Sequence, residues 1–266
     1  MEKDITYTGE NGAQIRACIS TPGKATGKLP SIILIHEIYG LDAHTRDVAK
    51  RLTNEGYLVI APHLFHGELD KITSVETLSR LLPLLRTIPR ESFGNPEKIK
   101  EVSAQLTEQD RPVFKSLMEV LAGKHDQQFV NNLKHAYQYI VEHENADSKK
   151  TASLGFCFGG GMAGLLAVNE PRMAAHIIFY GKRPPADKIK NITAPILGIY
   201  GSLDAGISPG IPTLAEEMKA AGKNYQYIMY EGASHAFFNN NRKDVYHPQA
   251  AAKAWEEVKT FLKKNL

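Results

Sequence analysis

Cys157, Asp204 and His235 are the residues of this 266-residue chain whose types and order could make and break an acyl bond. Cys157 sits in Gly155-Phe156-Cys157-Phe158-Gly159-Gly160, after the apolar run 151–154 and before the small-residue stretch 161–168. That pattern predicts a strand, a sharp turn and a helix, with a thiol at the apex. A cysteine carries some thiolate at neutral pH, and a following helix N-terminus favours the anion further. Asp204 ends Gly-Ser-Leu-Asp and His235 sits in Gly-Ala-Ser-His-Ala-Phe, each after an apolar run of strand type. An imidazole could relay the thiol proton, and a carboxylate could fix the tautomer of that imidazole. Each residue also has a plainer reading. The cysteine could be buried structure, the aspartate a turn former and the histidine a solvated loop residue. Three such residues in one order carry more weight than any one of them.

The elements that must position these residues alternate. The segment 13–20 alternates apolar and polar positions, as a half-exposed edge strand does. The segment 31–35 is continuously apolar and β-branched, as in a strand buried on both faces of a parallel sheet. Further strands are expected over 57–61, 151–155, 174–180, 196–201 and 225–230. Helices are expected over 43–55, stopped by Gly56, and over 131–143, where Leu133, Ala136, Tyr137, Ile140 and Val141 share a face. Two more are expected over 212–221 and 250–266. Repeated β-α units of this kind imply an α/β protein with a mostly parallel central sheet and helices on both faces. Ligands of such sheets bind at the carboxyl ends of the strands, where all three residues fall.

Residues 66–125 depart from the alternation. They contain no clear strand, and Pro83, Pro89, Pro96 and Pro112 are expected to break the helical patterns. Leucine-rich clusters such as 78–85 can still pack. The stretch therefore reads as a mostly helical insertion near the mouth of the site, within a single domain spanning 1–266.

Composition excludes several classes. Lys and Arg number 32 against 29 Asp and Glu, a formal net charge of +3, with no basic stripe of interleaved aromatics, so nucleic acid is not an expected partner. The N-terminus MEKDITYTGE lacks a signal-peptide core, and no apolar stretch approaches membrane-spanning length. Cys18 and Cys157 offer no disulfide framework, and a free functional thiol fits a reducing compartment, which points to the cytoplasm. His63-x-x-His66 could be half of a metal site but has no third ligand nearby, so it reads as a loop lining the cleft. Gly159-Gly160-Gly161 has neither the Lys-Ser/Thr nor the spacing of a phosphate loop. No metal, nucleotide or other cofactor is expected, and monomer and homodimer stay equally open.

The elbow 155–160 followed by Asp204 and His235 resembles the dienelactone hydrolase family (carboxymethylenebutenolidases), which has the α/β-hydrolase fold and the chain order nucleophile, acid, base. His36-Glu37-Ile38-Tyr39-Gly40-Leu41, after the first buried strand, resembles the family's Glu-Ile-Phe/Tyr-Gly segment. The resemblance runs from Ser31 to the C-terminal helix and is weakest in 66–125. It implies a hydrolase of small esters or lactones that works through a cysteine acyl-enzyme, with Glu37 meeting the resting thiol and moving aside when substrate binds. The backbone N–H groups of Phe158 and Ile38 would form the oxyanion hole. Members that cleave dienelactone carry an arginine four residues after the histidine. Here that position is Asn239, with Arg242 beyond it, so Tyr39, Asn239 and Arg242 are the candidate substrate-binding residues. Two alternatives stand beside this reading: a broad carboxylesterase or thioesterase, and a non-catalytic relative using Cys157 as a redox sensor or its pocket as a binding module.

Overall fold

The computed structural model describes residues 1–23, 27–85, 87–88, 92–93 and 95–266, with only the backbone at Val75. Its centre is one eight-stranded sheet: β1 (Glu2–Thr8), β2 (Gln14–Ser20), β3 (Leu29–Ile35), β4 (Leu58–Pro62), β5 (Ala146–Phe156), β6 (Ala175–Phe179), β7 (Ile196–Gly201) and β8 (Tyr225–Tyr230). The spatial order is β1-β2-β4-β3-β5-β6-β7-β8. From β4 to β8 every pairing is parallel, while β1–β2 and β2–β4 are antiparallel. The strand expected at 13–20 therefore lies inside the sheet. The edge belongs to β1, a strand with no counterpart among the expected elements, of which only Tyr7 is buried. The strand expected at 151–155 begins earlier, at Ala146, and its extra residues Asp147–Lys150 are largely exposed.

Helices cover both faces. α1 (Ala43–Asn54) and α8 (Pro248–Asn265) lie on one. α4 (Asp110–Leu121), α5 (Asp126–Val141), α6 (Phe158–Asn169) and α7 (Ile211–Ala220) lie on the other. Alternation along β3 explains the division: Ile33 and Ile35 join the second cluster, Ile32 and Leu34 the first, and all four are buried. Gly56 (φ 98°) and Gly222 (φ 67°) end α1 and α7 in the left-handed region, as the sequence indicated.

The 66–125 stretch is helical, but three of its prolines do not act as breakers. Pro96 opens α3 (Pro96–Ser103), Pro112 lies in the first turn of α4, and Pro83 sits inside α2 (Val75–Leu85). The first turn of a helix has no intrahelical use for the N–H that proline lacks. Pro89 lies outside the described residues. Arg80 of α2 donates to the buried Asp110 of α4 at 2.7 Å, tying two of these helices together. Leu81, Phe114, Leu117 and Met118 are fully buried in the same apolar cluster as β3 and α5. The excursion thus shares the core of the sheet. Phe114→Ala should lower global stability by roughly 3–5 kcal/mol in a single denaturation transition followed by both near- and far-UV circular dichroism. A separate early transition would show that the helices melt on their own.

Candidate active site

The turn from β5 into α6 holds Cys157 at φ 53°, ψ −112°, immediately before the first residue of the helix. Its neighbours must be glycine for want of space: a Cβ on Gly155 would lie 2.0 Å from the carbonyl oxygen of Gly159, and one on Gly159 would lie 2.2 Å from that of Ile35. Besides Cys157, the positive-φ non-glycine residues among those described are Asn11, Tyr180 and Ala236. Tyr180 follows β6 and Ala236 follows His235, so three of the four border one site, which is where backbone strain is commonly stored.

The sheet brings the three predicted side chains together. His235 Nε2 lies 3.1 Å from Cys157 Sγ, and His235 Nδ1 lies 2.6 Å from Asp204 Oδ2. The Asp204 side chain is 3% exposed and that of His235 27%, so the carboxylate is sealed behind an imidazole that reaches the cavity. Burial works against the imidazolium, yet the Cys157 sulfur and the Asp204 carboxylate outweigh it and push His235 up to about 10. The imidazole is thus held between the sulfur and the carboxylate, a setting that favours its charged form.

Glu37 is 2% exposed and lines the same cavity, but its carboxylate is held elsewhere. Tyr180 donates its hydroxyl to Oε1 at 3.1 Å and Asn239 donates Nδ2–H to Oε2 at 2.9 Å. The expected contact between Glu37 and the resting thiol is therefore not the arrangement found: Sγ engages His235, and both carboxylate oxygens are taken by neutral donors. Asn239 is corrected as well. It is 1% exposed, and its Oδ1 accepts from the Asn241 N–H at 3.0 Å, so both ends of its amide serve the wall and not a ligand. Burial, then Glu37 and Cys157, push the Tyr180 hydroxyl well above its ordinary range, which keeps it a donor.

Sequence reasoning missed Tyr180 and His36 as parts of this site. His36 is fully buried; its Nδ1–H donates to the Glu37 carbonyl at 2.5 Å, and its Nε2 accepts from the Leu64 N–H at 3.0 Å. Burial, helped by His63, takes it down to about 3, so it is a neutral clamp on the loop that carries Glu37 and Ile38. His36 leaves the carboxyl end of β3 and Tyr180 that of β6, the two strands that flank β5, a positional signal that could have found them. His63 and His66 do not converge: His63 Nε2 meets Asp70 at 2.7 Å, and His66 Nε2 meets Asn132 at 3.3 Å. His63 lines a different groove from the one containing Cys157.

Two cavities meet at Cys157 and His235. The larger, of about 950 Å³, is bordered by Glu37, Ile38, Tyr39 and Arg242 on one side and by Leu82, Leu85, Ile88, Phe93 and Leu121 of the excursion on the other. The smaller, of about 150 Å³, is mostly apolar and lies against Phe158, Met162 and Leu165 of α6. Ile38 thus borders one chamber and Phe158, the first residue of α6, the other.

Comparison with known proteins decides the family. The profile of the dienelactone hydrolase family matches residues 15–266. The chain belongs to the dienelactone hydrolase family. A protein of Saccharolobus solfataricus named "Putative carboxymethylenebutenolidase" is 36% identical over 265 residues, covering 99% of each chain. A Bradyrhizobium protein named "Probable 2-oxo-3-(5-oxofuran-2-ylidene)propanoate lactonase" is 28% identical over 99% of this chain and 94% of its own. The crystal structure titled "Putative Dienelactone Hydrolase", from Klebsiella pneumoniae, superposes with a TM-score of 0.75 at 26% identity, covering 99% and 98% of the two chains. The sheet and helices are those of the α/β-hydrolase fold, and the chain is a hydrolase of this family's type. Among the described residues, no helix is long and apolar enough to cross a membrane.

Two outcomes test the electrostatics of this site. Asn239→Leu removes one donor from a buried carboxylate and should cost about 1–3 kcal/mol of stability, read from urea denaturation at pH 7. The second concerns pH. His235 is raised from 6.5 to about 10, so the stability it contributes is fully present below pH 6.5 and is lost as pH rises through about 10. The wild-type urea midpoint should therefore fall between pH 7 and pH 10 more steeply than that of His235→Gln. Parallel slopes would mean that the imidazole is not stabilised in its charged form.

Proposed function

We propose that this protein hydrolyses small ester or lactone substrates through an acyl-enzyme on Cys157. The observation that carries the reading is the continuous Asp204–His235–Cys157 hydrogen-bonded line, with distances of 2.6 and 3.1 Å, opening onto a substrate-sized cavity. On this reading the Cys157 thiolate attacks the carbonyl carbon, and the developing oxyanion is met by the backbone N–H groups of Phe158 and Ile38. The His235 imidazolium then gives its proton to the departing alkoxide or enolate oxygen, and the acyl–sulfur bond remains. Water, deprotonated by the now neutral His235, attacks the thioester; the carboxylic acid leaves and the sulfur–imidazole pair is restored. Asp204 keeps Nδ1 protonated throughout, which aims Nε2 at the sulfur and the incoming water.

In the same reading, Glu37 supplies a buried negative charge in the wall, fixed by Tyr180 and Asn239, and Tyr39 with Arg242 shapes the substrate-facing rim. Small acyl groups with good oxygen leaving groups suit a thiolate, which displaces amines poorly. A lactone fits the same sequence, its leaving oxygen staying tethered to the acyl group until water releases both. The lactonase name of the Bradyrhizobium relative and the carboxymethylenebutenolidase name of the Saccharolobus relative point to the same bond type. No second reading is favoured by the geometry: a redox sensor has no use for Asp204 aligned behind His235.

Cys157→Ala should reduce hydrolysis of 4-nitrophenyl butanoate to background. His235→Ala should lower kcat by ~10²–10⁴. Cys18→Ala, a change at a buried thiol on β2, should leave turnover within twofold. Stopping the wild-type reaction in acid should give the mass of one butanoyl group on the peptide containing Cys157. Full turnover by Cys157→Ala would remove the assignment.

A further inference from the structure

The rim of the larger cavity carries a guanidinium whose fork is already filled from within the chain. Arg242 donates from Nε to Asp244 Oδ1 at 2.8 Å and from Nη2 to Oδ2 at 2.6 Å, while Nη1 donates to the Tyr39 hydroxyl at 2.7 Å. This planar two-point grip is how arginine binds any carboxylate, one on a substrate included. Tyr39, Arg242 and Asp244 all border the cavity that contains Cys157 and His235. Arg242 and Asp244 also border a neighbouring groove of about 300 Å³ beside Leu78 and Leu82 of α2, so the pair partitions the two spaces. The Asp244 side chain is 51% exposed against 23% for Arg242, so the aspartate sits on the wet side of the pair.

Charge around the cavity runs the same way. Among the described residues lining it, Arg242 is the only lysine or arginine, facing the carboxylates of Glu37, Asp204 and Asp244. Asp204 is engaged by His235, and Glu37 is held by neutral donors. A substrate bearing its own carboxylate would have to evict Asp244, which is tethered two residues away and thus present at high effective concentration. Once evicted, Asp244 would remain beside the incoming anion, and like charges brought together are costly. A neutral acyl chain meets neither penalty and can pass along the leucines of the excursion.

We propose that Asp244 is an internal carboxylate that occupies the Arg242 fork and makes the site select neutral acyl esters and lactones over those carrying a carboxylate on the acyl chain. The inference rests on the hydrolase reading above and adds its substrate class. It makes Asp244 a specificity-determining residue, with Arg242 a latent anion site. Replacing Asp244 by asparagine keeps its shape, removes its charge and releases the fork.

The test compares 4-nitrophenyl hexanoate with mono-4-nitrophenyl adipate, which share a leaving group and an acyl length and differ by one carboxylate. Wild type should show a kcat/KM for the neutral ester roughly tenfold or more above that for the anion. Asp244→Asn should move that ratio toward the anion by about tenfold, chiefly through KM, and 0.5 M NaCl should shrink the shift. Asp244→Ser serves as a second variant at the same exposed position. The double variant Arg242→Gln/Asp244→Asn should lose the gain, which a merely structural ion pair would not require. An unchanged ratio in both Asp244 variants, or a gain that survives in the double variant, overturns the proposal. Calorimetric binding of hexanamide and adipamate to Cys157→Ala, with and without Asp244→Asn, reads the same ratio without turnover. A protein that hydrolyses neither ester would thus lose the hydrolase reading while the charge filter is still measured.

Discussion

A Cβ on Gly159 would come within 2.2 Å of the Ile35 carbonyl oxygen, and one on Gly160 within 2.6 Å of that of Phe179. The start of α6 therefore rests directly on the carboxyl ends of β3 and β6, with no side chain between. Everything proposed for the site follows from that contact. It forces Cys157 into a left-handed backbone conformation, which lifts its side chain off the sheet. The Cys157 N–H is fixed to the Phe179 carbonyl at 3.0 Å, so the turn cannot relax away from the strained angle. The thiol is then held where the loop after β8 brings His235, and the first turn of the helix, with its unpaired N–H groups, begins beside the sulfur.

A second constraint is the buried carboxylate of Glu37. A charge with so little exposure is tolerable only with good hydrogen bonds, and it has two, from elements far apart in the chain. Tyr180 comes from the end of β6, and Asn239 from the turn that also carries His235. One carboxylate thereby links the loop after β3, the end of β6 and the histidine loop, and orders three walls of one cavity. Because both donors are neutral, the negative charge is not cancelled. It lines the same cavity as Cys157 and His235.

The helices between β4 and β5 close the remaining wall. Their inner leucines and phenylalanines belong to the same apolar cluster as the sheet, so the wall is anchored by burial as well as by the Arg80–Asp110 pair. Leu82, Leu85 and Phe93 give the large cavity an apolar side opposite the polar rim of Tyr39, Arg242 and Asp244. A substrate lying between these faces would have its reacting carbonyl at the junction of two chambers of unequal size.

Patterns local in the chain were legible without a structure. The β-branched runs of β3 and β7, the amphipathic face of α5 and the glycine stops of α1 and α7 each follow from periodicity or backbone freedom within a few residues. The glycines around Cys157 marked the elbow for the same reason, and the positions of Cys157, Asp204 and His235 after β5, β7 and β8 pointed to one candidate site. What the sequence left open depended on partners distant in the chain. β1 is polar and found its place only by pairing with β2. Pro96 and Pro112 were misread because a proline that starts a helix and one that breaks it look alike until the helix axis is known. Glu37 was expected on the thiol and Asn239 on a substrate, yet the two face each other, because the turn after His235 reaches the loop after β3. Arg242 was legible as a cation near the site, but its occupation by Asp244 was not, since a pair two residues apart forms only when the loop bends to bring their side chains to one side. Residue type and spacing thus determined which chemistry was available; tertiary structure decided which groups were left free to perform it, because a buried or charged side chain takes whatever partner the fold brings within hydrogen-bond reach.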